Sequence, residues 1–327
     1  MLQRSQFAET STLRIAAVVV TFDRLAQLQQ TVPRLLAEAI DHLVVIDNGS
    51  GDGTAEWLTG VDDPRLLVLT SVDNSGGAGG FEVGLREATA RFDPDWLIVM
   101  DDDARPMPGV VARFRAMDPV GWDVVAGGVY YPDGRICDMN RPSVNPFWHL
   151  GAFLRTLIGG GRMGFHVPDE AYLAHAPAPI DAASFVGLFV SRASIQRGGY
   201  PDGRLFLYGD DVLYTLGLRR AGCTIGFIPE LRFEHDFSTF TEGSTVFKPL
   251  WKAFYHHRNL LFVYRSASGI FFGLVLLLIL PKWLMKGAAY GADRPAFMRL
   301  VKLAIRDGLR GQRSRSHADV LAVMERP

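Results

Sequence analysis

A nearly continuous run of aliphatic and β-branched residues, RIAAVVVTF, extends from Arg14 to Phe22. Such a run lacks the alternation of a half-exposed strand and is typical of a parallel strand that is buried on both faces. Similar runs follow at His42–Asp47, Arg65–Thr70 and Trp96–Met100, and residues 25–40 between the first two carry leucine and alanine at helical spacing. Strands that alternate with helices predict an α/β fold with a mostly parallel central sheet and helices on both faces. We expect ligands to bind beyond the carboxyl ends of these strands.

Composition restricts the class of protein. Of the 327 residues, 48% are hydrophobic and 21% charged, as is ordinary for a globular chain. The formal net charge is −1, so no global charge attracts nucleic acid and we expect no such partner. Cys137 and Cys223 lack metal or redox spacing, which indicates ordinary thiols in a reducing compartment. The first residues lack the apolar core of a secretory signal, so we expect a cytoplasmic protein.

Three consecutive aspartates, Asp101 to Asp103, follow the fourth apolar run. Alternate side chains of a strand point the same way, so Asp101 and Asp103 are expected to converge. Two converging carboxylates repel each other unless a cation lies between them, and Mg²⁺ or Mn²⁺ prefers such oxygen ligands. The alternative is a solvated acidic turn that caps the next helix. The buried strand before the aspartates favours a metal site.

Two glycine-rich clusters, at residues 49–54 and 74–84, lie after the second and third strands. Neither fits a dinucleotide fingerprint, because Thr54 and Glu82 stand where the last glycine is required, and no Walker lysine follows. Glycine lets the backbone approach a pyrophosphate or a sugar closely. Turn formation is the simpler interpretation of each cluster alone.

Further candidates lie in the second half of the chain. Asp210 and Asp211 open a helical segment, where they either complement the helix dipole or supply a general base with a neighbour that orients the incoming hydroxyl. His235 is either structural or a metal ligand beside the aspartates. A third group, His256, His257 and Arg258, either contacts a phosphate or sugar oxygen or packs in an amphipathic helix.

In order and spacing, these segments resemble the inverting glycosyltransferases of family 2, which have the GT-A fold. The resemblance spans roughly residues 14–265 and is carried by VVVTFDR, VVIDNGSGDGT, DNSGGAGGFEVG, IVMDDDARP, LFLYGDDVLYTLGLRRAG, FEHDF and YHHRN. The GGAGGF element is similar to that of bacterial galactofuranosyltransferases and their rhamnosyltransferase relatives.

The resemblance implies a role for each matched residue on the reaction side of the site. Asp101 and Asp103 match the metal ligands of the family's DxD motif, and His235 matches the third protein ligand of the Mn²⁺ or Mg²⁺ ion. Asp211 matches the catalytic base, and Asp210 matches a contact to the acceptor. The family's aspartate pair is often preceded by Trp or Glu, whereas this chain has Tyr208-Gly209.

The resemblance also implies a set of residues that bind the nucleotide-sugar donor. Thr21 and Asp47 match positions that hold the base and the ribose. Asn74 and the glycines that follow it match a donor-contacting loop. The implied donor site comprises Thr21, Asp47, Asn74, Gly76, Gly77 and Asp102.

The resemblance implies an N-terminal extension (residues 1–13), a GT-A catalytic domain (14–245) and a C-terminal helical region (246–327). Within the catalytic domain, residues 14–105 are expected to bind the nucleotide and residues 106–245 the acceptor. The implied donor is UDP-galactofuranose or dTDP-rhamnose, and the acceptor is a glycan or a polyprenyl-linked glycan of bacterial surface polysaccharide synthesis. A sugar nucleotidyltransferase and a noncatalytic sugar-nucleotide-binding or membrane scaffold protein are the alternatives. The first usually has a basic, glycine-rich loop after its first strand, which this chain lacks, and the second has no use for the Asp210/Asp211 pair.

An apolar segment from Ser268 to Leu280 is too short to span a bilayer, which requires about 20 apolar residues. Between Lys282 and Arg315 the chain has nine Lys and Arg residues and two Asp residues. This pattern is typical of peripheral contact with an anionic leaflet through residues 268–315, on the cytoplasmic face of the inner membrane. A buried helix that covers the sheet is the other interpretation.

Overall fold

The computed structural model describes residues 13–117, 119, 121–236 and 246–324. The expected extension at residues 1–13 therefore lies outside the described residues, apart from Leu13. The strands are β1 (Ile15–Thr21), β2 (His42–Asp47), β3 (Leu66–Thr70), β4 (Trp96–Asp101), β5 (Ala104–Pro106), β6 (Val124–Tyr130), β7 (Ala178–Pro179), β8 (Leu188–Ser191) and β9 (Ile225–His235). The helices are α1 (Leu25–Leu36), α2 (Thr54–Thr59), α3 (Gly76–Phe92), α4 (Val110–Met117), α5 (Leu150–Arg155), α6 (Asp169–Leu173), α7 (Arg192–Gly198), α8 (Asp210–Arg220), α9 (Lys252–Ser268), α10 (Phe272–Met285), α11 (Arg294–Arg310) and α12 (His317–Met324).

Within the described residues the strands form one sheet in the order β3-β2-β1-β4-β8-β6-β9-β5, and β7 pairs with β9. The pairs β1–β2, β1–β4, β2–β3 and β6–β9 are parallel. Strands β5, β7 and β8 run in the opposite direction to their neighbours. The sheet is therefore mostly parallel with antiparallel insertions, and the expected α/β architecture is confirmed.

Successive residues of the central strands pack on opposite faces of the sheet, as a strand period of two requires. Ala17 and Val19 face a cluster built with α1 and α4. Ala16 and Val18 face a second cluster built with α3, α7 and α8. Burial on both faces explains why the first apolar run is continuous rather than alternating.

The register of the parallel strands brings their carboxyl ends to one edge. Thr21 pairs with Asp47 across β1 and β2, and Val20 pairs with Asp101 across β1 and β4. Three polar strand ends therefore lie side by side, at the edge where the parallel topology predicts a ligand site.

The C-terminal helices form an apolar cluster of their own. Helix α9 packs against α11, and Trp283, Phe297 and Val301 lie at the centre of the cluster. Helix α10 buries only Trp283 fully, so the expectation of a buried helix covering the sheet is wrong. In the described part of the chain, the helical run Lys252–Arg310 is the one whose length and apolar composition are sufficient to cross a membrane, and its most apolar window is only 11% buried.

Candidate active site

The end of β4 and the end of β9 bring three metal-ligating side chains together. Each of Asp101, Asp103 and His235 offers a ligand atom, and these atoms all lie within 4.8 Å of one another. His235 Nε2 is 3.0 Å from Asp103 Oδ1. The predicted convergence of Asp101 and Asp103 is present, and the histidine expected from the family resemblance lies beside them.

Pairing between β5 and β9 places His235 in this cluster. Ala104, which directly follows Asp103, pairs with His235 in the antiparallel register of these strands. The other ring nitrogen, Nδ1, donates to Asn140 Oδ1 at 2.7 Å. This hydrogen bond orients the ring so that Nε2 faces the carboxylates. Sequence reasoning missed Asn140, because it lies in an irregular region with no periodic pattern.

Asp102 is held by side chains at and just after the end of the first strand. Thr21 Oγ1 donates to Asp102 Oδ2 at 2.7 Å, and Arg24 Nη1 donates to Asp102 Oδ1 at 3.1 Å. The same guanidinium forms a short contact with Asp103 Oδ2. Arg24 is thus a cation of the site that sequence reasoning missed, although it ends the VVVTFDR element.

The buried charges perturb one another strongly. Burial, followed by repulsion from Asp103, raises the pKa of Asp101 to about 7. Burial alone would raise the pKa of Asp103 too, but the His235 hydrogen bond and the charges of His235 and Arg24 hold it below its usual value. Burial is the largest single effect and opposes the charge on His235, but the hydrogen bonds to Asp103 and Cys137 and the charges of Asp103 and Asp101 together outweigh it and raise the pKa to about 9. The negative charge of these carboxylates is therefore offset by two cationic groups, His235 and Arg24.

The donor set suits a hard divalent ion. Two carboxylates and one imidazole match the mixed O and N ligands that Mn²⁺ accepts. The hydrogen bond from His235 Nδ1 to Asn140 is the outer-shell contact that fixes a metal-ligating imidazole with Nε2 directed at the ion. Metal binding requires the neutral imidazole, so a proton and a cation compete for His235. The residues present fit the expected ion.

Asp210 and Asp211 occupy the first turn of α8, after Gly209 with a φ of +73°. Asp211 Oδ1 accepts from the backbone N–H of Val212 at 2.7 Å. Burial raises the pKa of Asp211 to about 6, and burial with repulsion from Asp211 raises the pKa of Asp210 well above its usual value. The charge of Asp211 also raises the pKa of Asp101, after burial and nearer groups, so the two lie in one electrostatic site.

The expected donor-side residues lie along the strand ends and the start of α3. Thr21 and Asp47 are almost fully buried. Asp47 Oδ1 accepts from Ser50 N at 2.9 Å, whereas its Oδ2 is buried and has no hydrogen-bond partner among the residues that the structure describes. Asn74 is exposed, and its Oδ1 accepts from Gly76 N at 2.7 Å. Their roles toward a nucleotide stay predictions.

The glycine-rich element GGAGGF is helical rather than a loop, because α3 begins at Gly76 and contains Gly77. Gly76 has a φ of +71°, and a Cβ atom there would lie 2.0 Å from the carbonyl oxygen of Phe206. Gly80 lies directly against Val20 of β1, where a Cβ would approach the valine side chain to 2.4 Å. These glycines bring α3 close to the sheet and to the segment before Asp210.

That segment is held in place by the YHHRN element of α9. Asn259 Nδ2 lies 3.0, 2.8 and 2.9 Å from the carbonyl oxygens of Leu205, Leu207 and Tyr208. Arg258 is fully buried, and its Nη2 donates to Leu205 O at 2.8 Å. Arg258 and Asn259 therefore fix the backbone that leads into the aspartate pair. Sequence reasoning left Arg258 as either a ligand contact or a packed helix residue, and it missed Asn259.

The two histidines of this element pack among aromatic side chains. His257 is fully buried, and its Nδ1 donates to Ala253 O at 2.6 Å. The His256 ring lies 5.8 Å from the Tyr208 ring. Burial lowers the pKa of His256 to about 3 and that of His257 to about 4, so both rings are neutral. This arrangement corresponds to the packing interpretation of the pair.

The chain resembles several glycosyltransferases in sequence and fold. The glycosyl transferase family 2 model matches residues 16–173. The galactofuranosyltransferase GlfT1 of Mycobacterium tuberculosis H37Rv is 30% identical over 242 residues, which cover 73% of this chain and 74% of that protein. An undecaprenyl-phosphate mannosyltransferase of Micrococcus luteus is 27% identical over 176 residues, which cover 52% of this chain and 70% of that protein. The crystal structure of S. aureus TarS residues 1–349 in complex with UDP-GlcNAc aligns at a TM-score of 0.51 and 14% identity, over 78% of this chain and 68% of that one.

The relatives named in these comparisons are transferases, which favours the transferase hypothesis over a nucleotidyltransferase or a noncatalytic scaffold. The structural likeness agrees with the GT-A fold that the family resemblance implies. On sequence, coverage and fold, this chain belongs to glycosyltransferase family 2.

Proposed function

We propose that this enzyme is a metal-dependent inverting glycosyltransferase that moves galactofuranose from UDP-galactofuranose to a lipid-linked glycan. The observation that carries the proposal is the juxtaposition of the Asp101, Asp103 and His235 cluster with Asp211. A donor-activating site and a base within electrostatic range of it are what a single displacement at a sugar carbon requires. The galactofuranosyl donor is supported by the name of the relative at 30% identity. The alternative donor is dTDP-rhamnose.

In this mechanism Asp211 removes the proton from the acceptor hydroxyl as its oxygen attacks the anomeric carbon. Attack comes from the face opposite the leaving diphosphate, so the configuration inverts and no covalent sugar-enzyme intermediate forms. The raised pKa of about 6 leaves Asp211 ionised at neutral pH but more basic than an exposed aspartate. Asp210, buried beside it, positions the acceptor hydroxyl.

The nucleotide diphosphate binds on the other side of the sugar from the acceptor, beside Asp101, Asp103 and His235. Asp101, Asp103 and His235 would hold Mn²⁺ or Mg²⁺, which when bound offsets the negative charge that develops on the diphosphate. Arg24 keeps Asp103 ionised and ready to act as a ligand. Thr21, Asp47, Asn74, Gly76, Gly77 and Asp102 form the proposed donor-binding set along the strand ends.

The acceptor side contains cationic groups suited to a lipid-linked phosphate. A cavity of about 390 Å³ borders Asp210 and is lined by Arg220, Arg265 and Arg313, together with Asp202. Guanidinium groups bind phosphate through paired N–H donors. We therefore favour a polyprenyl-phosphate-linked glycan over a free glycan, with the enzyme in the cytoplasm and in peripheral contact with the inner membrane through residues 268–315.

The proposal is tested by transfer assays with the purified chain, a synthetic prenyl-diphosphate-linked disaccharide and either UDP-galactofuranose or dTDP-rhamnose. We expect galactofuranosyl transfer with Mn²⁺, at least about 100-fold less after EDTA treatment, and the same loss in Asp103→Asn. Asp133→Asn is the matched control, because Asp133 forms an exposed ion pair with Arg135. Undiminished transfer in EDTA refutes the metal requirement. Turnover of dTDP-rhamnose alone refutes the donor.

A further inference from the structure

Helix α10 presents a broad apolar face to solvent. Ile270, just before the helix, is 94% exposed, and Leu277 and Met285 are 72% and 74% exposed. The other side of the helix packs with α9 and α11 through Leu276, Ile279 and Trp283. One face is therefore covered by protein and the other is free.

A second apolar segment, far away in sequence, is exposed in the same way. Leu150, Leu157 and Ile158 are 74%, 71% and 81% exposed, in and after α5. This segment belongs to the irregular region between β6 and β8, which sequence reasoning treated only as an insertion around the site. Soluble monomers rarely expose apolar side chains in such concentration, so the segment indicates an interaction site.

The two apolar segments meet at the junction of α9 and α10. The rings of Phe147 and Phe271 lie 6.3 Å apart and nearly parallel. Asn145 Nδ2 donates to Ala267 O at 3.0 Å, and the Arg220 guanidinium lies 5.9 Å from the Trp148 ring. Residues 148–163 and 270–285 are thus neighbouring parts of one surface, hereafter the docking surface.

The charges around the docking surface have one sign. Residues 148–163 and 264–289 contain no Asp or Glu. They contain five exposed basic side chains: Arg155, Arg162, Arg265, Lys282 and Lys286. Apolar side chains bordered by Lys and Arg alone complement the hydrocarbon and the anionic headgroups of a bilayer.

We propose that the docking surface, with residues 148–163 as its second half, binds the chain in plane to an anionic lipid bilayer. An in-plane position follows from the packing, because α10 is covered on one side by α9 and α11. Its 14 residues also extend only about 21 Å, less than the ~30 Å hydrocarbon thickness.

The docking surface is close to the reaction site. Arg265, at the border of the docking surface, lines the same cavity as Asp210, and Arg220, whose guanidinium lies over the Trp148 ring, lines it too. This inference deepens the proposed function and takes the lipid-linked acceptor from it. A bilayer bound at the docking surface presents the acceptor headgroup to Asp210 and Asp211.

Vesicle flotation without any sugar substrate tests the docking surface independently of transfer. The full chain is mixed either with vesicles of phosphatidylcholine or with vesicles of phosphatidylcholine that contain about 30 mol% phosphatidylglycerol. Each mixture is then floated through a density gradient. We expect binding to the anionic vesicles and release at high salt. Leu157→Ser with Ile158→Ser should weaken binding at least about tenfold. Lys282→Gln with Lys286→Gln should weaken binding about fivefold for each charge removed.

Val83→Ser, an apolar-to-polar change on the exposed side of α3, is the matched control and should float like the wild type.

Wild-type flotation of the Leu157/Ile158 variant overturns the role of the second segment. Failure of the wild type to float overturns the surface altogether, and retention in alkaline carbonate shows a spanning helix instead. A wild-type dimer in light scattering that the Leu157/Ile158 variant loses would assign the surface to a second copy. Transfer to a soluble acceptor with a short prenyl chain should survive in both docking variants, which separates this inference from the proposed reaction.

Discussion

Each of the three aspartates after β4 makes a different set of contacts. Asp101 and Asp103 converge on His235, whereas Asp102 points to Thr21 and Arg24. Asp101 ends β4, whereas Asp102 and Asp103 form the turn before β5, so the backbone of that turn sets the directions of the last two side chains. Asp101 and Asp103 are available to a cation, whereas Asp102 connects the turn after β4 to Thr21 at the end of β1.

Asp211→Asn tests the base at the level of one atom. The asparagine keeps an oxygen that accepts from Val212 N but cannot take a proton from the acceptor. We expect kcat to fall by about 10²–10⁴-fold with donor binding retained. The melting temperature should not fall, because the change removes a buried charge. Transfer rates close to the wild type in purified Asp211→Asn would assign the proton to another group.

The pH dependence of kcat/KM should have an acid limb near pH 6. Burial raises the pKa of Asp211 to about 6, and the base works only when ionised. Activity is therefore complete above about pH 7 and is lost as the pH falls through the folded-state value. Initial rates from pH 4.5 to 8, at subsaturating acceptor, measure the limb. A limb near pH 4, the value of an exposed aspartate, would contradict a buried base.

Sequence alone predicted the acids but not the groups that hold them. A DDD run after an apolar strand indicates convergence, and the family resemblance added His235. Asn140 and Arg24 came only from the structure. Asn140 reaches His235 across 95 positions, so no local pattern connects them. Arg24 sits at a strand-to-helix turn, where a basic residue is ordinarily solvated.

At the scale of elements, strand prediction succeeded where burial is two-sided. β1 to β4 lie within a residue or so of the predicted apolar runs, because their hydrophobicity is set locally. β5 and β7 have three and two residues, too few for any periodicity, and they exist only through pairing with β9. GGAGGF was interpreted as a turn or as part of a donor-contacting loop, but it begins α3, where packing against β1 outweighs the low helix propensity of glycine.

Gly76→Ala tests the contact between α3 and the segment before the aspartate pair. Alanine disfavours a φ of +71°, and its Cβ would overlap the Phe206 carbonyl. We expect the free energy of unfolding to fall by at least about 2 kcal/mol. Gly217→Ala is the control, since nothing lies within 4 Å of a Cβ there and α8 should gain about 0.5–1 kcal/mol. Urea denaturation of both variants measures the difference. Equal stabilities would show that α3 and the Phe206 segment are not rigidly packed.

At the scale of the whole molecule, the candidate site lies between the central sheet and helix α8. The sheet supplies Asp101, Asp103 and His235, and α8 supplies the aspartate pair. The C-terminal helices hold the segment before α8 through Asn259 and also form half of the docking surface. The proposed catalytic geometry and the proposed membrane attachment therefore share the same helices. The family resemblance and the apolar segment indicated a helical C-terminal region but not its packing, which depends on contacts between distant segments.

Ligand-dependent melting of the whole chain measures whether donor and cation bind as one unit. A ligand at about 100 times its Kd stabilises the native state by about 2.7 kcal/mol, which raises Tm by roughly 4 °C for a chain of this size. If Asp101, Asp103 and His235 hold a cation that contacts the diphosphate, UDP and Mn²⁺ together should raise Tm by more than the sum of the shifts that each ligand produces alone. Asp103→Asn should lose this excess relative to its own ligand-free Tm, and Asp133→Asn should keep it, because its exposed carboxylate is outside the site. A UDP shift that is unchanged by EDTA and by Asp103→Asn would mean that the nucleotide binds without a metal ion, and that Arg24 and protonated His235 offset the charge of the aspartates.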